Sequence, residues 1–139
     1  MVTQIEDITK TEQLEYWKQA CGKYRSTLKS KVHLLFRNCK KRAKKHQWDF
    51  DLTKEWIKEK IDNGRCELSG EKFNCDVGIF NTHFNPFTPS VDRINSSKGY
   101  TKDNCRVVIA AVNMGIGEWG LDQYISIAKK VIAHQKKCN

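Results

Sequence analysis

The sequence has no long apolar run, and no segment approaches the roughly 18 consecutive apolar residues that a membrane-spanning helix needs. The first ten residues also contain no apolar stretch after a basic start, so we expect no secretory signal. Internal repeats and low-complexity segments are missing too. These absences lead us to expect a compact protein that has no membrane partner, is not secreted and stays in the cytoplasm.

The six cysteines include no C-x-x-C pair, the spacing that many structural zinc sites and redox sites use. Without a secretory signal, a framework of disulfide bonds is not expected either. We therefore interpret the cysteines as reduced thiols that pack as small apolar side chains.

Acidic residues are missing from the segment 22–47, which carries ten of the 25 Lys and Arg residues and contributes most to the net charge of +9. A block of one charge favours a polyanionic partner, and double-stranded DNA is the first candidate. A merely solvated basic face is the alternative interpretation. The candidate DNA-binding residues are Lys29, Arg37, Lys40, Lys41, Arg42, Lys44 and Lys45.

The same segment has a helical apolar stripe, because apolar residues recur at steps of three and four. The stripe consists of Leu28, Val32, Leu35, Cys39 and Ala43. A second helix, capped by Asp51 or Thr53, is predicted to end at Gly64. Strands are predicted at 90–94 and 105–108, and helices at 110–119 and 121–135.

This order predicts an α+β fold with three regions. Residues 1–63 form a helical, basic, DNA-binding region, and residues 64–120 form a core in which two strands precede a helix. Residues 121–139 form a C-terminal helix that packs on the core.

The most informative residues lie around the two strands. Asp92 ends the first strand, a polar loop of about ten residues follows, and the second strand leads into a helix that carries Asn113. A carboxylate and an amide oxygen can therefore meet at a strand–helix junction. Such oxygens suit Mg²⁺, which keeps several waters and accepts phosphate oxygens as ligands. A cation held there can stabilise the charge that develops on a cleaved phosphodiester.

The run PSVDRINSSKGYTKDNCRVV at 89–108, followed by Asn113, resembles the core of the HNH (ββα-metal, His-Me finger) endonucleases. It is most similar to their small phage-encoded, homing-type members. The segments 42–53 and 66–70 also resemble the lead-in of that family, so the resemblance covers roughly residues 40 to 120. The resemblance implies Mg²⁺-dependent hydrolysis of DNA, with Mn²⁺ as a substitute, in the host cytoplasm if a phage encodes the protein.

The resemblance also implies roles for single residues. Asp92 and Asn113 match the metal ligands of the family, and Asn104 matches the residue that braces the loop between the strands. Arg93 stands where most members carry the histidine that activates water. Arginine is a poor general base, so we expect Arg93 to clamp the scissile phosphate. His83 and Tyr100 are the two candidate bases, Tyr100 being also a candidate nucleophile, and packing is the alternative role for each of them.

Many members of this family hold the motif together with zinc bound by two C-x-x-C pairs. Here Ser69 follows Cys66 at the position of the second cysteine, and Ile109 and Val112 occupy the other pair of positions. A structural zinc needs four good ligands, so we predict no structural zinc.

Two other functions stay open. The chain is alternatively a catalytically impaired DNA-binding protein of the same fold, because Arg93 replaces the usual base. It is otherwise a nuclease for branched DNA or RNA, because related cores act on those substrates. A homodimer is also left open.

Overall fold

The computed structural model describes residues 11–12, 27–76 and 85–138. The candidate base His83 lies outside these residues. Within them the fold is α+β, as predicted, with a small antiparallel sheet among helices. The elements are α1 (Leu28–His46), α2 (Lys54–Asp62), β1 (Pro89–Arg93), a short 3₁₀ turn (Lys102–Asn104), β2 (Cys105–Ile109), α3 (Ala110–Ile116) and α4 (Leu121–Cys138).

Helix α1 begins at a capping side chain, since the Thr27 hydroxyl oxygen accepts a hydrogen bond from the Ser30 N–H. It ends at Gln47, whose φ of 56° is left-handed. Val32, Cys39 and Ala43 of the predicted stripe are buried, whereas Leu28 at the first position is exposed. The helix therefore presents its apolar side to the core and its basic side to solvent.

Helix α2 is capped by Thr53, which accepts a hydrogen bond from Trp56 N–H at 3.1 Å. Its residues Ile57 and Ile61 are fully buried. Asp51, the other candidate cap, accepts a hydrogen bond from the backbone N–H of Lys102 instead. It thereby ties the connector between the helices to the loop between the strands.

The β1–β2 ribbon has two distinct faces. The register pairs Asp92 with Arg106 and Arg93 with Cys105. Since successive side chains of a strand point to opposite faces, Ser90, Asp92 and Arg106 share one face. The opposite face carries a second set of residues. These are Val91, Arg93, Cys105 and Val107.

Helix α3 is attached to the segment that leads into β1. The N–H groups of Ala110 and Ala111 donate to the carbonyl oxygens of Thr88 and Pro86 at 2.8 and 3.0 Å. These bonds satisfy donors that a helix start leaves unpaired, and they hold the helix beside β1. The helix is shorter than predicted, because Gly117 follows it with a φ of 53° and turns the chain away.

Helix α4 forms where it was predicted, but no described residue of it is buried. It adjoins α3 where a Cβ on Gly115 would come within 2.5 Å of the Tyr124 ring. Ile127, Val131 and Ile132 on its apolar side remain about half exposed. The helix therefore adds little to the core. Among the described residues, no helix has the length and apolar character that crossing a membrane demands.

Candidate functional site

Asp92 lies near the end of β1 and is 4% exposed. The Nε atom of Arg106, its partner on β2, donates to Asp92 Oδ2 at 2.7 Å. The Asp92 side chain is 5% exposed and the Arg106 side chain 14%, so the ion pair is largely removed from water. Among the described residues, Arg106 alone donates a hydrogen bond to this carboxylate. The pair thus fixes the aspartate and leaves Oδ1 without a partner in that part of the chain.

Asn113 is the fourth residue of α3 and reaches back to β1. Its Nδ2 group donates to Ser90 Oγ at 2.7 Å and to the Val91 carbonyl oxygen at 3.2 Å. A carbonyl oxygen can only accept, so the nitrogen of the amide must face β1. The amide oxygen therefore points away from the strand and remains available as a ligand.

Asp92 and Asn113 lie on the same side of the ribbon, because Asn113 bonds to Ser90 and Ser90 shares the face of Asp92. The structure therefore places these two candidate ligands on one side of the ribbon. Across the described ranges, no group of three or more His, Cys, Asp or Glu residues could hold a metal ion. One carboxylate and one amide fit Mg²⁺, which takes few protein ligands and fills its remaining positions with water and phosphate.

Arg106 was not anticipated from the sequence, although it completes this side of the ribbon. A ten-residue connection between two antiparallel strands puts some residue of 105–108 opposite Asp92, but the sequence pattern does not say which. Only the register, with Asp92 opposite Arg106, identifies it.

Arg93 points to the opposite face, so the structure separates it from Asp92. Its guanidinium carbon lies 3.9 Å from the centroid of the Trp48 ring and 5.2 Å from that of Tyr100. One terminal nitrogen donates to the Lys98 carbonyl oxygen at 2.9 Å. This geometry is a cation–π stack that joins the strand to the connector after α1.

Tyr100 is buried beside that stack, with 4% of its surface exposed. A hydrogen bond with Tyr100 raises the pKa of the Arg42 guanidinium above its usual value. The N–H of Tyr100 donates to the Asp49 carbonyl oxygen at 2.9 Å. Tyr100 therefore fastens the loop to the end of α1, and its contacts lie on the Arg93 side of the ribbon.

The thiol of Cys105, the residue that pairs with Arg93 across the strands, is buried. Burial raises the pKa of Cys105 to about 12, and the positive charge of Arg93 offsets only part of that rise. Burial likewise raises the pKa of Cys39, on α1, to about 11. Both thiols therefore stay protonated near neutral pH and serve as apolar packing groups.

Asn104 lies within the loop between the strands and is 7% exposed. Its amide nitrogen donates to the carbonyl oxygens of Asn95 and Gly99 at 3.1 and 2.9 Å. Its amide oxygen accepts from the Asn95 N–H at 3.0 Å. One side chain thus bonds to both limbs of the loop, which is the arrangement that a bracing role requires.

The basic side of α1 is open to solvent, and all seven candidate DNA-binding residues of this helix are exposed. A cleft of about 1100 Å³ runs along the helix and includes Arg37, Lys40, Lys41 and Lys44 among its lining residues. Lys40 and Lys54 lie over the Phe36 ring in this cleft, at 5.9 and 5.6 Å from its centroid. Four of the seven candidates thus share one concave surface.

Comparison with protein-family models, with curated proteins and with solved structures gives no match to this chain.

Proposed function

We propose that this protein is a Mg²⁺-dependent DNA endonuclease with an HNH-type core, which hydrolyses phosphodiester bonds at the Asp92–Asn113 side of the ribbon. The observation that carries the proposal is the pairing of one carboxylate and one amide on a single face of two strands and a helix. Both side chains are held by hydrogen bonds that leave one oxygen of each without a described partner. The order of the motif in the sequence supports the same function.

A bound Mg²⁺ ion would supply a Lewis acid that stabilises negative charge on the phosphodiester. The chain's own residues hold and orient the reacting groups. Asp92 and Asn113 would hold the ion, with each side chain kept in place by a hydrogen bond to its neighbour. The basic cleft of α1 would bind phosphates of the duplex without reading its sequence.

The activation of water requires a base within reach of the Asp92 side of the ribbon. Tyr100 is buried and bonded to Arg42, which favours packing over proton transfer. Arg93 would have to leave its stack on Trp48 to reach a phosphate beside Asp92. His83 therefore remains the candidate base of this proposal, while Arg93 and Tyr100 are better suited to supporting the loop.

The decisive experiment measures cleavage of supercoiled plasmid, linear duplex, a four-way junction and RNA, with Mg²⁺ or with a chelator. We expect Mg²⁺-dependent cleavage of the DNA substrates, and we expect Asp92→Asn and Asn113→Ala to abolish it. Asp103→Asn is the matched control, because Asp103 is an exposed acid in the loop that joins β1 to β2. Full activity in a folded Asp92→Asn protein would exclude this metal site.

A second candidate function is DNA binding without cleavage. The observation that favours it is the ion pair, since Arg106 already neutralises the acid on the proposed metal side of the ribbon. It predicts salt-sensitive DNA binding by wild-type protein with no cleavage of any substrate in Mg²⁺ or Mn²⁺. Preferential cleavage of the junction or the RNA would instead favour a nuclease for those substrates.

A further inference from the structure

The ion pair between Arg106 and Asp92 bears on cation binding at the proposed site, and an inference drawn from it rests on the proposed function. Arg106 Nε occupies Oδ2 of Asp92 at 2.7 Å, in a position where little water screens either charge. A divalent cation at the same carboxylate would lie close to the guanidinium. The cation and the guanidinium are both positive, and like charges close to each other repel strongly where the effective dielectric constant is low.

We propose that Arg106 competes with the divalent cation for Asp92 and so keeps the cation affinity of the free protein low. The guanidinium lies at the carboxylate in the free protein, because Arg106 is directly opposite Asp92 on β2. Its charge also cancels that of the carboxylate, which would otherwise attract the cation. Removing the guanidinium should therefore strengthen cation binding even though it removes a stabilising contact.

Arg106 is better placed for this role than Arg93. Arg93 is only one residue from Asp92 in sequence, but strand alternation puts it on the other face. Its guanidinium is engaged by Trp48 and by the Lys98 carbonyl oxygen. Arg93 therefore provides a matched control: an arginine of equal charge, next to the same aspartate, whose guanidinium is engaged elsewhere.

Calorimetric titration of Mn²⁺ into the full chain tests the proposal without any substrate. We expect Arg106→Gln to bind Mn²⁺ at least about tenfold more tightly than wild type, a gain of about 1.4 kcal/mol. Arg93→Gln should bind it as wild type does. Adding Asp92→Asn to Arg106→Gln should remove the gain, because the carboxylate is the ligand whose charge was released.

Arg106→Gln also leaves an unpaired carboxylate in a buried position, which costs stability. If this variant is unfolded at the temperature of the titration, Mn²⁺ should refold it, as followed by circular dichroism. That refolding should be absent when Asp92→Asn is added. Failure of Mn²⁺ to refold the variant, or equal or weaker Mn²⁺ binding by folded Arg106→Gln, overturns the proposal.

The two proposals fail in different ways. Tighter Mn²⁺ binding by Arg106→Gln, with no cleavage of any substrate by wild type, would leave the competition in place and remove the nuclease. Cleavage that depends on Asp92, with no gain of affinity in Arg106→Gln, would leave the nuclease and remove the competition.

Discussion

The two faces of the β1–β2 ribbon use arginine in opposite ways. On one face, Arg106 is paired with a carboxylate that the sequence motif assigns to chemistry. On the other, Arg93 is stacked on Trp48 and bonded to a backbone carbonyl, with no acid as its partner among the described residues. Adjacent positions in the motif, Asp92 and Arg93, therefore belong to different environments.

Residues that are neighbours in the motif, such as Asp92 and Arg93, therefore need not lie in the same site. The face of Arg93 is packed against α1, and its contacts join the loop, the strand and the connector after that helix. The face of Asp92 meets α3 through Asn113, which bonds to Ser90 across the gap between strand and helix. One face of the ribbon thus packs against the rest of the fold, while the other carries the two side chains that we propose as metal ligands.

The largest expected effect concerns the ion pair itself. Asp92→Ala leaves Arg106 without its partner in a mostly buried position, and we expect it to lower the free energy of unfolding by about 3 kcal/mol. Asp92→Ala combined with Arg106→Ala should lose less than the sum of the two single variants. Urea unfolding of the four proteins measures this coupling. Strictly additive losses would show that the contact contributes nothing to stability.

The next largest loss of stability is expected on the side of the ribbon that carries Arg93. Gly99 lies against the connector so closely that an added Cβ would come within 2.2 Å of the Asp49 carbonyl oxygen. Backbone has to move to accommodate it, so Gly99→Ala should cost about 1–3 kcal/mol of unfolding free energy, as measured by urea unfolding. Gly70→Ala is a poor control because its φ is positive. Ser96→Ala, at an exposed position of the same loop, is a better one, and an equal loss in both variants would contradict the close approach.

How far the sequence predicts this structure depends on the range of the interactions involved. Helix caps and apolar stripes are local, so the sequence narrowed the cap of α2 to Asp51 or Thr53, of which Thr53 is the cap. It likewise identified the stripe of α1, apart from the exposed Leu28. The pairing of Asp92 with Arg106 depends on strand register, and the stacking of Arg93 on Trp48 joins residues 45 positions apart. Neither leaves a pattern in a single sequence. The motif therefore identifies the candidate ligands, but it does not reveal their neighbours.

Arg93→Ala tests whether Arg93 stabilises the fold or takes part in cleavage. It removes a cation–π contact and one hydrogen bond, so we expect a loss of about 1–2 kcal/mol of unfolding free energy. Arg93→Lys should restore little of it, because the planar guanidinium is what stacks on the ring. Cleavage at a temperature where both variants are folded should stay within about tenfold of wild type. A fall in kcat of roughly 10²–10³ with unchanged stability would instead support a phosphate clamp.

The smallest expected effect concerns the basic cleft on α1. Lys40, Lys41 and Lys44 line it together, so replacing all three by glutamine removes charge from one surface. If they bind DNA phosphates, the plot of log affinity against log salt should flatten by about 0.9 for each phosphate that is no longer neutralised. Fluorescence anisotropy with duplexes of unrelated sequence measures this slope. Because phosphate contacts carry no sequence information, every duplex should bind more weakly to a similar extent.

The matched control for the cleft is a triple variant of α4. Replacing Lys129, Lys130 and Lys136 by glutamine removes the same charge from a different helix, all three positions being exposed. Its salt slope should stay closer to that of wild type, because a lysine that neutralises no phosphate releases no counterion when DNA binds. Equal slopes in the two triple variants would show that net charge, and not the cleft, governs binding.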